Sequence, residues 1–375
     1  MGKIDTILDY IAWRGDIPLL TDGFNDVDAL IFTQLSYLDF GGIVPADFSG
    51  KITLADAWKK FSSARDFSER KNVGLVINPL SVDLLEAAAK SARFSDVDLS
   101  GFVDKFDGGA EEQFCALVFS FDERHFVAFR GTDDTIVGWK EDFNLAFKDK
   151  VAAQVDAAGY LSSFLDEERA HGEIFVGGHS KGGNLAIFSV SELSAEKFSR
   201  IKRIYNFDGP GFSKEKISSS GFEKLRPLVK SFFPHLSIVG QLFEHFDEFN
   251  VVESSGQFLM QHDPFTWAVR GPSFVFKESL DEKSEYFSRT FNGWLEKIQD
   301  GKREQFVDAV FSVIGATKNG SLSALHADSL RSSAAMLVAF KALDDDTRKA
   351  VAQIAGEFIK EAGKNLSQGK GLKSV

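Results

Sequence analysis

Residues 173–184, EIFVGGHSKGGN, contain the pattern that decides the fold of this chain. An apolar run leads into Gly178-His179-Ser180-Lys181-Gly182, a G-x-S-x-G motif, and an apolar helical pattern continues from Leu185. A strand, a sharp turn carrying a serine and a following helix form a nucleophile elbow, in which the glycines leave room for the tight turn. The start of the helix also presents backbone N–H groups to a developing negative charge. We therefore predict that Ser180 is a nucleophile.

A motif of this kind also arises by chance in glycine-rich turns, where the serine has no chemical role. The strand pattern before Ser180, the helix pattern after it and the further glycine Gly183 favour the elbow over that alternative.

The composition is that of a globular, acidic protein. The chain has 375 residues, 43% of them hydrophobic, which is enough for one large domain with additions. Its formal charge of −12 disfavours binding to nucleic acid or to an anionic membrane. The single cysteine, Cys115, lies in an apolar run, so we predict a buried residue rather than a disulfide or a nucleophile.

No segment of the sequence indicates a membrane or a secretory pathway. The first residues are polar and acidic and lack the apolar core of a signal peptide. The sequence also lacks a run of about 18 apolar residues, the minimum for a spanning helix. We therefore expect a cytoplasmic protein without an integral membrane segment.

Strand-like apolar runs alternate with helical patterns through the middle of the chain. Residues 113–121 and 125–129 have the pattern of a hairpin, and further strand patterns follow at 173–177, 201–207 and 229–233. This alternation predicts an α/β fold, with a mostly parallel central sheet flanked by helices.

Helical patterns dominate both ends of the chain. Residues 1–60 are mostly helical in pattern, and helical spacing returns beyond residue 280. We therefore expect an α/β domain at 1–280, with a helical N-terminal extension, and a C-terminal helical region at 281–375. The C-terminal helices either cover apolar surface as extra layers or form a lid, a cap or an oligomerisation surface.

A serine hydroxyl needs a base to take its proton and a third group to orient that base. In hydrolases with this elbow, the acid and then the histidine follow the serine along the chain. We predict His262 as the base because the segment QHDPFTW around it is turn-like and lies between apolar stretches. The alternatives downstream of Ser180 are His235, His245 and His326.

The acid is predicted to be Asp208, 28 residues after Ser180, at the end of the strand next to the elbow strand. The carboxyl ends of parallel strands share one edge of the sheet, where catalytic groups gather. The usual acid position is one strand later, but Ser237 occupies that segment. Asp208 could instead cap a turn before glycine. Four other carboxylates remain candidates: Glu244, Asp247, Glu248 and Asp263.

An oxyanion hole needs two hydrogen-bond donors. We predict that the backbone N–H of Lys181 is one, and that Thr132 in the loop Arg130-Gly131-Thr132 supplies the other. The alternative for this loop is an ordinary turn with a capping threonine. The sequence contains neither a pattern of metal ligands nor a dinucleotide or phosphate loop, so we predict no metal and no cofactor.

Several of these motifs together resemble the class 3, or fungal-type, lipase family. They are AFRGT at 128–132, Gly138-Trp139, Asp142-Phe143-Asn144 and VGGHSKGGNLA at 176–186, and the resemblance spans about residues 110–270. It implies an α/β-hydrolase fold with a Ser-His-Asp triad that hydrolyses acyl esters. By position, it implies that Ser180 is the nucleophile and Thr132 the oxyanion residue.

Further segments resemble an uncharacterised bacterial branch of lipase-like proteins, which brings no assigned substrate. They are residues 9–16, 24–25, 35–37 and 262–267. The sequence differs from the lipase pattern at Ser237, in place of the acid, and at Lys181, in place of a small or apolar residue.

The predicted function is therefore that of a serine esterase, lipase-like, that cleaves carboxylic esters through an acyl-enzyme. The expected partner is a small-molecule acyl ester or a lipid. A thioesterase or deacylase would use the same residues, and a non-catalytic binding or scaffold protein on a degenerate hydrolase fold is the alternative of a different class.

Overall fold

The computed structural model of the protein describes residues 4–71, 78–107, 112–132 and 150–295, with isolated positions between 341 and 349. The strands are β1 (Ile52–Thr53), β2 (Asp98–Asp107), β3 (Glu112–Phe121), β4 (Arg124–Phe129), β5 (Glu173–His179), β6 (Ile201–Phe207), β7 (Val229–Pro234), β8 (Asn250–Val252), β9 (Val269–Arg270), β10 (Ser273–Phe274) and β11 (Phe276–Lys277). β1 to β8 lie side by side in chain order, β11 completes a nine-stranded sheet beside β8, and β9 and β10 pair separately.

The centre of the sheet is parallel and its edges are antiparallel. Strands β4 to β8 run parallel to one another, whereas β1 to β4 and the β8–β11 pair are antiparallel. Because the parallel strands follow one another in order, right-handed connections place their helices on the same face. The predicted α/β class, with a largely parallel central sheet flanked by helices, is confirmed.

Helices cover both faces of the sheet. Those that precede the parallel strands are α1 (Ile7–Arg14), α2 (Leu19–Asp22), α3 (Asp26–Leu35), α4 (Leu54–Ser62), α5 (Phe67–Arg70) and α6 (Leu80–Lys90). Those between or after them are α7 (Ala152–Asp166), α8 (Lys181–Ser191), α9 (Ala195–Phe198), α10 (Lys214–Ile217), α11 (Ser220–Glu223) and α12 (Glu282–Leu295).

The alternation of side chains along β3 separates two hydrophobic cores. Ala116 and Val118 pack with α7 and α8, whereas Cys115 and Phe119 pack with the N-terminal helices on the other face. Cys115 is buried, as predicted. Phe119 stacks on Phe32 of α3 at 4.5 Å between ring centroids. The N-terminal helices therefore cover the face that the connections between parallel strands leave open.

A buried ion pair fixes this N-terminal layer. Asp28 of α3 and Arg93, which follows α6, are fully buried and lie 2.5 Å apart. The Tyr10 hydroxyl of α1 donates to Asp28 Oδ1 at 2.8 Å. Removing one member would leave a buried charge without its partner, so the network ties α1, α3 and α6 to one another.

The sequence analysis missed β2, whose pattern is broken. Gly101 has a φ of +66° and lies at a bulge between Ser100 and Val103. The charged pair Asp104 and Lys105 then interrupts the apolar alternation. Both features weaken the period-two signal by which a strand is recognised.

Several sequence predictions concern residues outside the described part of the chain. They are the motifs Gly138-Trp139 and Asp142-Phe143-Asn144, the helical spacing at 296–340 and the candidate His326. The division near residue 280 stays a prediction. In the part of the chain that is described, every helix is too short or too polar to cross a membrane.

We expect acid to destabilise the fold, in part through His125 on β4. This side chain is 5% exposed, and burial, with the nearby charges of Arg169 and His171, lowers the pKa of His125 to about 4. In the unfolded chain a histidine takes up its proton at about pH 6.5, so below that pH the unfolded state binds more protons than the folded one. The free energy of unfolding should therefore fall by about 2 kcal/mol at pH 5 through this residue alone.

Urea unfolding at pH 7 and at pH 5 measures this contribution. His125→Gln should reduce the loss of stability on acidification, whereas His171→Gln, at the exposed neighbour, should leave it nearly unchanged. Equal losses in the wild type and in H125Q would contradict the assignment.

Candidate active site

Ser180 lies in a sharp, strained turn between β5 and α8. Its φ of +58° and ψ of −134° are rarely adopted by a residue with a side chain. The turn packs closely on β4: a Cβ atom at Gly182 would lie 2.1 Å from the Phe129 carbonyl oxygen. The Ser180 side chain remains partly accessible to solvent. The G-x-S-x-G segment thus adopts the strand, turn and helix that its sequence predicts.

Asp208 lies at the same edge of the sheet, one strand further on. His179 pairs with Phe207 in the parallel register of β5 and β6, so Ser180 and Asp208 follow paired residues. Asp208 also has a positive φ, +50°, and its side chain is fully buried. Backbone strain of this kind is commonly found at functional sites, where the surrounding structure maintains it.

The structure brings His262 to Asp208. His262 Nδ1 lies 2.6 Å from Asp208 Oδ2, and the imidazole is 23% exposed. The His262 ring also packs against that of His179, with 4.5 Å between centroids and 33° between the ring planes. Ser180 Oγ makes no hydrogen bond to His262 among the described contacts. Such bonds are often long in ligand-free enzymes and shorten when substrate binds.

The QHDPFTW segment builds the loop that carries His262. The Gln261 carbonyl accepts a hydrogen bond from Trp267 Nε1 at 2.8 Å, and its side-chain oxygen accepts one from Leu236 N at 2.9 Å. Asp263 accepts hydrogen bonds from Phe265 N at 3.0 Å and from Asn78 Nδ2 at 2.6 Å. Both residues therefore fix the loop on either side of His262.

The other candidate histidines lie elsewhere in the structure. His235 contacts the Gln261 side chain at 3.1 Å and so supports the His262 loop. His245 packs against Phe233, and burial lowers the pKa of His245 to about 4.

Unlike Asp208, the other candidate acids make no hydrogen bond to the His262 imidazole among the described contacts. Glu244 and Glu248 are exposed, and Asp247 pairs with Arg226 at 3.2 Å. The Asp263 carboxylate accepts hydrogen bonds from Asn78 Nδ2 and from Phe265 N in its own loop. Among these carboxylates, Asp208 is the one in contact with the imidazole.

The proton position on His179 follows from its two partners. His179 Nε2 lies 2.8 Å from the His262 carbonyl oxygen, which can only accept a hydrogen bond. Nε2 therefore carries the proton, and Nδ1 accepts from the Tyr37 hydroxyl at 2.9 Å. Burial, with the neighbouring His262, lowers the pKa of His179 well below its usual value, so the ring is neutral at physiological pH. A neutral His179 thereby links Tyr37, which follows α3, to the loop of His262.

The loop predicted to hold the oxyanion packs against Ser180. A Cβ atom at Gly131 would lie 3.0 Å from Ser180 Cβ and 2.2 Å from the Tyr37 hydroxyl oxygen. Thr132, the next residue, is buried. The Lys181 side chain is buried, and its Nζ donates to the Gln113 carbonyl at 3.0 Å. Its backbone N–H lies in the first turn of α8.

Three polar residues without a predicted role hold Asp208 or the segment that directly follows it. Ser237 Oγ donates to Asp208 Oδ1 at 2.5 Å. Asn184 of α8 donates to the Pro210 and Gly211 carbonyls at 3.1 and 2.8 Å, and Asn206 Oδ1 accepts from Gly209 N at 3.0 Å. Asn184 lies within the motif around Ser180, and this position in the sequence could have indicated a role for it in the site.

The described residues contain no group of three or more histidine, cysteine or carboxylate side chains placed to hold a metal ion. The site therefore consists of a serine in a strained turn, a histidine hydrogen-bonded to a buried aspartate, and a loop with potential donors beside the serine.

The fold is that of an α/β protein with a largely parallel central sheet. Residues 88–312 match the Mbeg1-like family, and the chain belongs to that family. Among solved structures it is similar to the crystal structure of M37 lipase, with 16% sequence identity and a TM-score of 0.33 over 58% of this chain and 68% of that one. A search of curated proteins finds no match.

Proposed function

We propose that this protein is a serine hydrolase that cleaves carboxylic acyl esters through an acyl-enzyme. The observation that carries the proposal is the 2.6 Å contact between His262 Nδ1 and Asp208 Oδ2, beside a serine whose φ is +58°. A histidine oriented by a buried carboxylate next to a strained serine is the arrangement that activates a serine hydroxyl.

The geometry supports a distinct role for each nitrogen of His262. Because Nδ1 is bonded to Asp208, Nε2 is the nitrogen left to take the proton of Ser180 as its oxygen attacks the ester carbonyl. The Asp208 carboxylate then stabilises the imidazolium. Nε2–H next gives its proton to the departing alcohol, and the acyl group remains on Ser180. Water, activated by His262, releases the acid and restores the serine.

The negative charge of the tetrahedral intermediate would face Lys181 and Thr132. The Lys181 N–H lies in the first turn of α8, where the helix dipole favours an anion. The loop of Thr132 packs against Ser180. A pair of such donors contributes a large part of catalysis by acyl-transfer enzymes.

The substrate class that we propose is an ester with an apolar acyl chain. The resemblance to class 3 lipases favours an apolar acyl chain, and Met260, two residues from His262, is 60% exposed. A thioester or an acyl amide would meet the same catalytic groups. The alternative of a non-catalytic scaffold rested on the missing acid after β7, and the contact between Asp208 and His262 counts against it.

A fluorophosphonate probe, which bonds to activated serines, tests the proposal on the full-length wild type. We expect labelling, with the adduct mapped by peptide mass spectrometry to Ser180, and hydrolysis of p-nitrophenyl esters from acetate to palmitate. Protein unfolded by heat before labelling is the control. A folded wild type that is inert toward both reagents would favour the scaffold.

A further inference from the structure

The carboxylate of Asp208 is satisfied by two groups from distant parts of the chain. It is fully buried; Oδ2 contacts His262 Nδ1 at 2.6 Å, and Oδ1 accepts from Ser237 Oγ at 2.5 Å. Burying a carboxylate costs free energy unless its oxygens are hydrogen-bonded. With one partner on each oxygen, the plane of the carboxylate is fixed relative to the imidazole.

Ser237 is in turn held by α12, the first helix of the C-terminal region. Ser237 is 1% exposed, and its carbonyl accepts a hydrogen bond from Ser284 Oγ, which is fully buried on α12. Further along the helix, Asn292 Oδ1 accepts from Phe243 N at 3.1 Å. Phe243 has a φ of +66°, so this contact falls on a strained point of the segment 237–243. The segment is therefore attached to α12 at both ends.

We propose that Ser237 is a positioning residue for the catalytic acid, and that Ser284 holds it there. The inference rests on the proposed hydrolysis at Ser180. Ser237 acts through Asp208, since its hydroxyl fixes the carboxylate that orients His262. Because Ser284 lies on α12, this helix also helps to position the Asp208 carboxylate.

The test compares three variants of the full chain in kcat and KM for p-nitrophenyl butyrate. Ser237→Ala should lower kcat by about 10- to 100-fold, because a hydrogen bond to a charged group contributes that much. KM should change by less than about twofold, since the hydroxyl does not face the substrate. Ser237→Thr, which keeps the hydroxyl, should restore most of kcat. Ser284→Ala should lower kcat in the same direction but less.

A proton NMR spectrum of the ligand-free protein gives a readout that does not depend on turnover. The His262 Nδ1–H, bonded to Asp208, should give a low-field resonance that shifts or broadens in S237A and returns in S237T. Ser189→Ala is the matched control: Ser189 is equally buried, but its hydroxyl donates to the Ala186 carbonyl within α8. This variant should change neither the resonance nor kcat.

The outcomes separate the inference from the proposed function. If S237A keeps the kcat and the resonance of the wild type while Asp208→Asn is inactive, the inference is wrong and the hydrolase stands. If S237A and S189A lower the melting temperature alike and change kcat by the same factor, the role of Ser237 is structural. The inference is then also wrong. If the wild type is neither labelled by the fluorophosphonate probe nor able to hydrolyse esters, both the proposed function and the inference are wrong.

Discussion

Ser180→Ala should abolish fluorophosphonate labelling and lower ester hydrolysis by about 10⁵-fold, close to complete loss of the catalysed reaction. The physical reason is that alanine lacks the oxygen that attacks the carbonyl, so the acyl-enzyme cannot form. The fold should survive, because alanine has the same Cβ atom as serine and meets the same strain at a φ of +58°. Initial rates with p-nitrophenyl butyrate and gel detection of the probe measure the two effects.

Ser191→Ala is the matched control for this prediction. Ser191 lies at the end of the same helix, and its hydroxyl donates to the Phe188 carbonyl at 2.7 Å, far from the turn. It should label and turn over like the wild type. If S180A were still labelled to the wild-type extent while remaining folded, the nucleophile would have to be sought elsewhere in the chain.

Local patterns indicated the parallel centre of the sheet, although not β2, and they are the basis on which the members of the candidate site are proposed. The apolar runs at 173–177 and 201–207 became β5 and β6, because a buried parallel strand needs apolar side chains on both faces. Ser180 and His262 were chosen from the motifs around them. Asp208 was chosen because parallel strands bring their carboxyl ends to one edge of the sheet.

The contacts that support the site could not be predicted in the same way. Tyr37 lies 142 residues from His179, and Ser237 lies 29 residues from Asp208 with a strand between them. A serine at the usual position of the acid carries no local sign that it donates to a carboxylate one strand away. Such roles depend on how strands and helices pack, which a single sequence does not determine at the level of individual hydrogen bonds.

Asp208→Asn is the second decisive substitution, and it should lower kcat by about 10⁴-fold. Ser237 donates to Oδ1, so an asparagine would place its amide oxygen there and turn its NH₂ group toward His262 Nδ1. That nitrogen would then accept a hydrogen bond, which moves the ring proton to Nε2. With Nε2 protonated, His262 could not take the proton of Ser180. The fold should be retained, because asparagine tolerates a positive φ as aspartate does.

The candidate acids that lie away from His262 supply matched controls for D208N. Glu244→Gln and Asp247→Asn remove exposed carboxylates and should leave kcat within about twofold of the wild type, since surface substitutions have small effects. Rates at saturating p-nitrophenyl butyrate and the melting temperatures of all three variants show which carboxylate is the acid. If D208N keeps most of its activity while E244Q or D247N loses it, Asp208 is not the acid. If D208N alone is inactive and melts like the wild type, the carboxylate acts through the tautomer of His262 rather than through the stability of the fold.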